Sequence, residues 1–423
     1  MSSPSRAEAL RAEPRLVALL ASLDGDGDGA EAGTDQRRAD AMLARIAWSR
    51  LAEPGDGTAG ALLAAIGAEA ALELLVRGVR ATRLQQAAEQ ASAEIPVRAL
   101  EEGLGRWAPR LDRGETVADV ERAHRSGIRI VLPGDACWPE ALDDLGAHAP
   151  TVLWVKGSPA RLGEPSLGVV GARAATGYGT HVTAEIVDGV CAAGLAIVSG
   201  AAYGIDAVAH RTALAAEATT VAVLAGGADR PYPSAHESLL GRIGETGAVC
   251  SEMVPGSAPT KWRFLMRNRL IAALSGATLV AEAGLKSGSL NTAGHAAQLG
   301  RPIGAVPGPV TSAASAGCHR LIREYAAVLV TNSGEACELV GLDDRPALFA
   351  AGEPEGGDRD GAWERRVLDA MPLRGSRDAA DIARRCGLAA PQVLGVLAEL
   401  ELLGRVRRRE QPGGAPPKWA VAR

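Results

Sequence analysis

Lys261 to Thr292, KWRFLMRNRLIAALSGATLVAEAGLKSGSLNT, decides the fold. The apolar run Thr278 to Ala283 reads as a buried strand. A polar loop opening a helix stands on either side of it. The first loop carries Phe264, one of two phenylalanines in the chain, beside Lys261, Arg263, Arg267, Asn268 and Arg269. The second is the turn Lys286-Ser287-Gly288-Ser289, which runs into a helix at Asn291. An aromatic ring, cations and bare backbone amides are what a strand of phosphates and bases requires.

The same alternation extends in both directions. Further strands are expected at Leu167 to Gly171, Ala196 to Ser199, Thr219 to Leu224, Ala248 to Ser251, Ile303 to Val306 and Val328 to Thr331. Helices should begin near Gly177, Asp206, Ser238, Met266, Asn291 and Cys318. Two short strands, at 127–133 and 151–157, precede them. Nearly continuous apolar strands alternating with helices mean an α/β domain over 120–342, with a mostly parallel sheet and helices on both faces. Ligands of such sheets sit at the carboxyl ends of the strands.

Outside this core, residues 1–36 read as a disordered acidic tail. Asp24 to Asp35 has carboxylates at calcium-loop spacing, but Glu31 stands where an apolar residue anchors such a loop, so a solvated linker is the better reading. Residues 37–110 have helical patterning around Met42, Ile46 and Trp48, broken at Pro54-Gly55 and Gly67. Residues 343–361 are a linker rich in proline, glycine and acids. Residues 362–423 pattern as three helices and a hairpin with Arg405 to Arg409 on one strand, a winged-helix domain for which DNA binding and protein docking both remain open.

Composition narrows the partners. The 423 residues carry a net charge of −5, which excludes coating nucleic acid by bulk charge; any such site is a local basic groove. Lysine occurs only at 156, 261, 286 and 418. The six scattered cysteines form no CxxC, so no metal or disulfide is expected. No uncharged stretch reaches about 18 residues and no secretory leader is visible, so a cytoplasmic protein without membrane partners is expected.

Each loop has a bland reading beside the chemical one. Arg173, closing LGVVGAR, suits a phosphate or a plain surface turn. The loop from Ser199 and Gly200 to His210 lacks dinucleotide-fingerprint spacing, which removes an NAD-dependent dehydrogenase; Asp206 reads as a cap and His210 as packing. Asp229, Tyr232 and His236 lie among prolines and glycines and read as a rigid loop rather than acid–base machinery. A nucleotide-hydrolysing enzyme of related architecture would need a glutamate after Gly288-Ser289-Leu290-Asn291-Thr292, where none stands; Glu282 is the nearest candidate.

Together LGVVGARAATGYG, SGAAYGIDAVAH, TVAVLAGGADRPYPSAH, CSEMVPG, FLMRNRLIAALS, EAGLKSGSLNTAGHAAQLGRPIGAVPG and SAGCHRLI resemble the DNA-processing protein A (DprA/Smf) family over about residues 120–340. That resemblance implies an extended Rossmann-like core between an N-terminal helical region and a C-terminal winged-helix domain. It implies a non-catalytic, cofactor-free homodimer that binds and protects single-stranded DNA in natural transformation and loads RecA, with single-strand-binding protein a further candidate partner. Carried over by motif, the DNA-binding residues are Arg173, Ser199, Gly200, Lys261, Phe264, Arg267, Asn268, Arg269, Ser287, Gly288 and Ser289, and the dimer contacts are Ile322 and Val328. This chain departs from the family pattern at Leu265, where proline is usual, and at Tyr325, where glycine is.

Overall fold

The computed structural model describes residues 13–25, 36–342, 357–372, 375–409, 411 and 417–422. It forms two compact units, 1–345 and 346–423. The first begins with seven helices: α1 (Pro14–Leu23), α2 (Gln36–Leu51), α3 (Gly57–Ile66), α4 (Ala68–Val76), α5 (Ala81–Gln90), α6 (Val97–Trp107) and α7 (Arg113–Arg125). Helix α1 corrects the reading of 1–36 as a tail. Pro14 starts it, and Leu16, Leu20 and Leu23 share one face that is buried with α2 and α7. Asp24 pairs with Arg38 at 2.9 Å, and most of the calcium-loop stretch lies outside the described residues. Helices α2 to α6 bury their own core, centred on Trp48 and Trp107 in edge-to-face contact at 5.2 Å. Asp56 caps α3 and accepts the Trp107 indole N–H at 3.0 Å.

The sheet follows. Its strands are β1 (Ile128–Val131), β2 (Leu153–Gly157), β3 (Ser166–Gly171), β4 (Ala196–Ser199), β5 (Thr220–Val223), β6 (Ala248–Ser251), β7 (Ala277–Glu282), β8 (Ile303–Ala305) and β9 (Val328–Leu329). They lie in the order β1-β2-β6-β5-β4-β3-β7-β8-β9. The pairs β1/β2 and β2/β6 are antiparallel and the others parallel, which matches the mostly parallel sheet expected from the apolar runs. Helices α8 (Gly177–Ala192), α9 (Ile205–Ala215) and α10 (Glu237–Thr246) cover one face, and α11 (Lys261–Leu274), α12 (Ser289–Gln298) and α13 (Ala316–Glu324) the other. A short α14 (Ser333–Glu338) joins the first group. From β3 the chain steps outward through β4, β5 and β6, then returns across the sheet to place β7 on the far side of β3. That reversal splays the loops after β3 and β7 apart and opens a crevice between them.

The six cysteines are free, and burial pushes the Cys191, Cys250 and Cys318 thiols up to about 12. Among the described residues no single helix is long and apolar enough to cross a membrane; α3 and α4 together have the length, but they meet at 109° and bury Leu62, Ala71, Leu72 and Leu75.

The second unit has α15 (Gly357–Ala370), β10 (Arg377–Asp378), α16 (Ala379–Cys386), α17 (Ala390–Leu402), β11 (Val406–Arg409) and β12 (Lys418–Val421), with strand order β10-β12-β11. Val367, Ile382, Leu397, Leu400 and Trp419 form its core. This is the winged helix read from the pattern. Its first helix starts inside the stretch read as linker, at Gly357.

Candidate nucleic-acid interface

A groove of about 750 Å³ opens at the carboxyl ends of β3 to β7. Every one of those strands contributes: Arg173 after β3, Ala202 and Asp206 after β4, Tyr232 after β5, Lys261 and Phe264 after β6, and Lys286 to Ser289 after β7. The loops after these strands thus meet at one edge of the sheet, whereas Ser199 and Gly200 do not line the groove. The exposed cations Arg173, Lys261 and Lys286 line it, and none of the three is in an ion pair among the described residues.

Thr260 caps α11, its hydroxyl accepting the Arg263 N–H at 3.2 Å, so the helix starts at Lys261, five residues earlier than expected. Phe264 thus stands in the first helical turn, not on a loop tip. Its ring is half-buried, with the Tyr232 ring at 5.4 Å and tilted by 53°, and with the Arg173 guanidinium 5.1 Å from its centre. The helix presents Lys261, Phe264, Leu265 and Asn268 to the groove.

The three arginines flanking Phe264 do different work from that expected of them. Arg267 is buried; it donates to the carbonyls of Gly200 at 2.7 Å and Val223 at 2.5 Å, tying α11 to β4 and β5. Burial lowers its pKa to about 10, with Asp206 opposing the shift, so it stays charged at neutral pH. Arg269 is buried against Glu252 at 2.7 Å. Arg263 meets Glu53 through two bonds of 3.0 and 2.9 Å, binding α11 to the N-terminal helices. Arg267 and Arg269, expected among the DNA-binding residues, are instead buried within the protein, where carbonyls and a carboxylate engage them.

Asp206, also buried, accepts the Ala202 N–H at 3.3 Å. Burial raises its pKa against the pull of Arg267 and the amides of Ala202, Gly200 and Gly171. Ser199 is buried and donates to the Val169 carbonyl at 2.6 Å. Gly200 is buried beneath Arg267: a Cβ there would stand 2.0 Å from the guanidinium. Both shape the groove floor from below, so neither offers a surface to a ligand. Gly204 turns the chain at φ +75°, where any Cβ would strike the Ala172 carbonyl at 2.1 Å.

Asn268 lines the groove edge and donates to Asn291 Oδ1 at 3.1 Å, holding α11 to α12. The Ser287 and Ser289 hydroxyls bond each other at 2.7 Å, and Gly288 is exposed at the start of α12. Within the loop the Ser287 N–H is already given to the Gly284 carbonyl at 3.0 Å and the Ser289 N–H to the Ser287 hydroxyl at 3.4 Å, so the loop brings to the groove its hydroxyls, the exposed Gly288 and the Lys286 ammonium. Ile322 and Val328 lie elsewhere: Ile322 is half-buried on α13, and Val328 is exposed on β9, the outermost strand.

Two groove residues escaped selection from the sequence. Tyr232 reads from the sequence as part of a rigid loop, yet it is 47% exposed beside Phe264. Lys286 was read only as the start of a turn; its rarity in an arginine-rich chain was the available signal. The bland reading of the Tyr232 loop holds for its other members: Asp229 accepts the Gly256 N–H at 2.7 Å, and His236 bonds the Ala201 carbonyl at 2.9 Å. Glu282 is buried, its two oxygens accepting from the Thr176 N–H and hydroxyl at 2.9 and 2.7 Å.

Known proteins resemble this chain in sequence and fold. The family model for DNA recombination-mediator protein A matches residues 129–341, and that for the DprA winged helix domain matches 353–414. A putative DNA processing protein DprA of Mycobacterium tuberculosis is 43% identical over 396 residues, covering 89% of this chain and 94% of its own length. DNA processing protein DprA of Streptococcus pneumoniae is 41% identical over 228 residues, covering 53% of this chain and 80% of its own. The X-ray structure of DprA from that organism superposes with a TM-score of 0.56 at 29% identity, over 70% of this chain and 96% of the other. The groove motifs and all of the winged helix but its last strand fall within the stretches the family models match, and the chain belongs to the DNA-processing protein A (DprA/Smf) family.

Proposed function

We propose that this protein binds single-stranded DNA along the groove at the carboxyl ends of β3 to β7, without cutting or modifying it. The observation that carries the reading is the meeting of Arg173, Lys261, Lys286, Phe264 and the Ser287–Ser289 loop in one crevice. Cations take phosphates while the ring takes a base, so binding is tolerant of sequence. Relatives named DNA processing proteins support a role in handling DNA, and the proposal places that role in natural transformation. Loading of RecA, cooperation with single-strand-binding protein and a homodimer through Ile322 and Val328 complete the proposal; the exposed Val328, Leu329 and Tyr325 at the sheet edge support the last. The enzyme alternative loses its carboxylate, since Thr176 engages both oxygens of Glu282.

The test is fluorescence anisotropy with labelled oligothymidylate. Affinity should fall steeply with salt and drop in Arg173→Ala, Lys261→Ala and Phe264→Ala. Undiminished binding in all three variants would sink the site.

A further inference from the structure

Trp262 is 56% exposed, whereas Trp48, Trp107, Trp138, Trp154 and Trp419 are buried and Trp363 is half-buried. Leaving the largest apolar side chain in water is unfavourable unless something covers it in use. Its position says what. Trp262 is the second residue of α11, between Lys261 and the Phe264 turn. Leu265, three residues on and so adjacent on the helix surface, lines the groove and is itself 37% exposed. Met266, four residues on, lies against Gly55 of the N-terminal helices. The indole therefore stands just outside the groove, at the rim where the sheet domain meets the helical one. The exposed Lys261 ammonium precedes it in the chain.

We infer that Trp262 is a second base-stacking platform, on which a single strand of DNA leaving the groove over Leu265 rests its next base. This rests on the groove reading above. A protein partner would also cover an indole, but the apolar surface is continuous with a groove lining that carries unpaired cations, which favours nucleic acid. Phe264 stacks a base inside the groove and Trp262 one outside it, so the two residues separate by strand length. An oligothymidylate of about four nucleotides fills the groove and ends there; one of about twenty passes over the rim.

Both oligonucleotides are titrated into the full-length protein, Trp262→Ala, Trp262→Phe and Phe264→Ala at one salt concentration. Trp262→Ala is expected to lower affinity for the long oligonucleotide about tenfold and to leave the short one unchanged, with Trp262→Phe retaining most of the long-strand affinity. In parallel, iodide should quench part of the tryptophan emission of the free protein. That part should be missing from Trp262→Phe and should be shielded in the parent by the long oligonucleotide but not by the short one. Iodide access persisting under saturating long oligonucleotide, or Trp262→Ala binding both lengths as the parent does, would overturn the inference while Phe264→Ala still reports on the groove. Equal weakening at both lengths would also overturn it, since the indole would then act through the groove. If Phe264→Ala binds both lengths undiminished, the groove reading itself falls.

Discussion

The guanidinium of Arg173 lies 5.1 Å from the centre of the Phe264 ring, joining the loop after β3 to the first turn of α11 across the groove. A cation over an exposed ring is worth about 0.5–1 kcal/mol. Residues sharing such a contact do not act independently. Arg173→Ala and Phe264→Ala should therefore show a coupling energy of about that size in a double-mutant cycle of oligothymidylate binding. Arg173→Ala should also flatten the dependence of log K on log salt by about 0.7, whereas Phe264→Ala should leave the slope unchanged. Strict additivity, or a slope that moves with the ring, would show that the two residues do not divide phosphate and base between them.

Arg267 makes the opposite prediction. Its removal strands the Gly200 and Val223 carbonyls and leaves Asp206 buried without its cation. Arg267→Ala should cost about 3–5 kcal/mol of stability in urea unfolding. Arg173→Ala, at an exposed position, should cost no more than about 1 kcal/mol, the worth of its contact with the Phe264 ring. Stability equal to the parent in Arg267→Ala would return that residue to the candidate DNA contacts.

His210 gives the fold an acid-labile point. Its Nδ1 bonds the Thr220 hydroxyl at 2.7 Å, and burial, with the charge of Arg267 nearby, lowers its pKa from 6.5 to about 3. The folded state keeps it neutral where the unfolded chain would bind a proton. Its contribution is thus complete above pH 6.5 and is lost as pH falls from there toward 3, at up to about 1.4 kcal/mol per pH unit. Asp206 and Glu252, raised by burial, slope the other way, so the comparison must be differential. Unfolding free energies of the parent and His210→Asn should converge across that window; parallel curves would refute the assignment.

Gly200→Ala should destabilise by about 1–3 kcal/mol, because the new methyl meets a guanidinium that two carbonyls pin in place. Oligothymidylate binding at a temperature where the variant is fully folded should fall as well, since Arg267 helps hold α11. A melting temperature equal to the parent's would mean that Arg267 has another place to go.

At the far edge of the sheet, Val328 is 50% exposed on β9, a two-residue strand with one flank unpaired in the sheet. Val328→Asp should convert a dimer to monomer by light scattering without lowering the melting temperature. A variant that keeps the parent's mass would move the proposed self-association elsewhere.

The α/β core was readable because strands buried on both faces read as nearly continuous apolar runs; Ala277–Glu282 is buried throughout, with only Thr278 and Glu282 polar. What escaped was the sign of a charge's environment. Arg267 and Arg173 look alike in one dimension, and only the reversal of strand order decides that one points into the sheet and the other onto the groove. Helix α11 shows the second limit: a segment with cations around its circumference has almost no amphipathic signal. Its true start depended on Thr260 as cap, a short-range feature outweighed by the crowd of arginines. Helix α1 shows a third, since an acidic, glycine-rich neighbourhood hid three leucines at helical spacing.

The Glu53–Arg263 bonds have a mechanical implication. Helix α11 is anchored at one side by Arg267 in the sheet and at the other by a carboxylate of the N-terminal helices, with Ser49 also donating to the Glu252 carbonyl at 2.9 Å. No residue of the N-terminal helices lines the groove, yet their domain acts as a buttress for the turn that presents Lys261, Trp262 and Phe264. Deleting it would leave every groove residue in the chain and still unseat the ring from its bearing. Whatever grips the outside of that domain holds a lever on the groove.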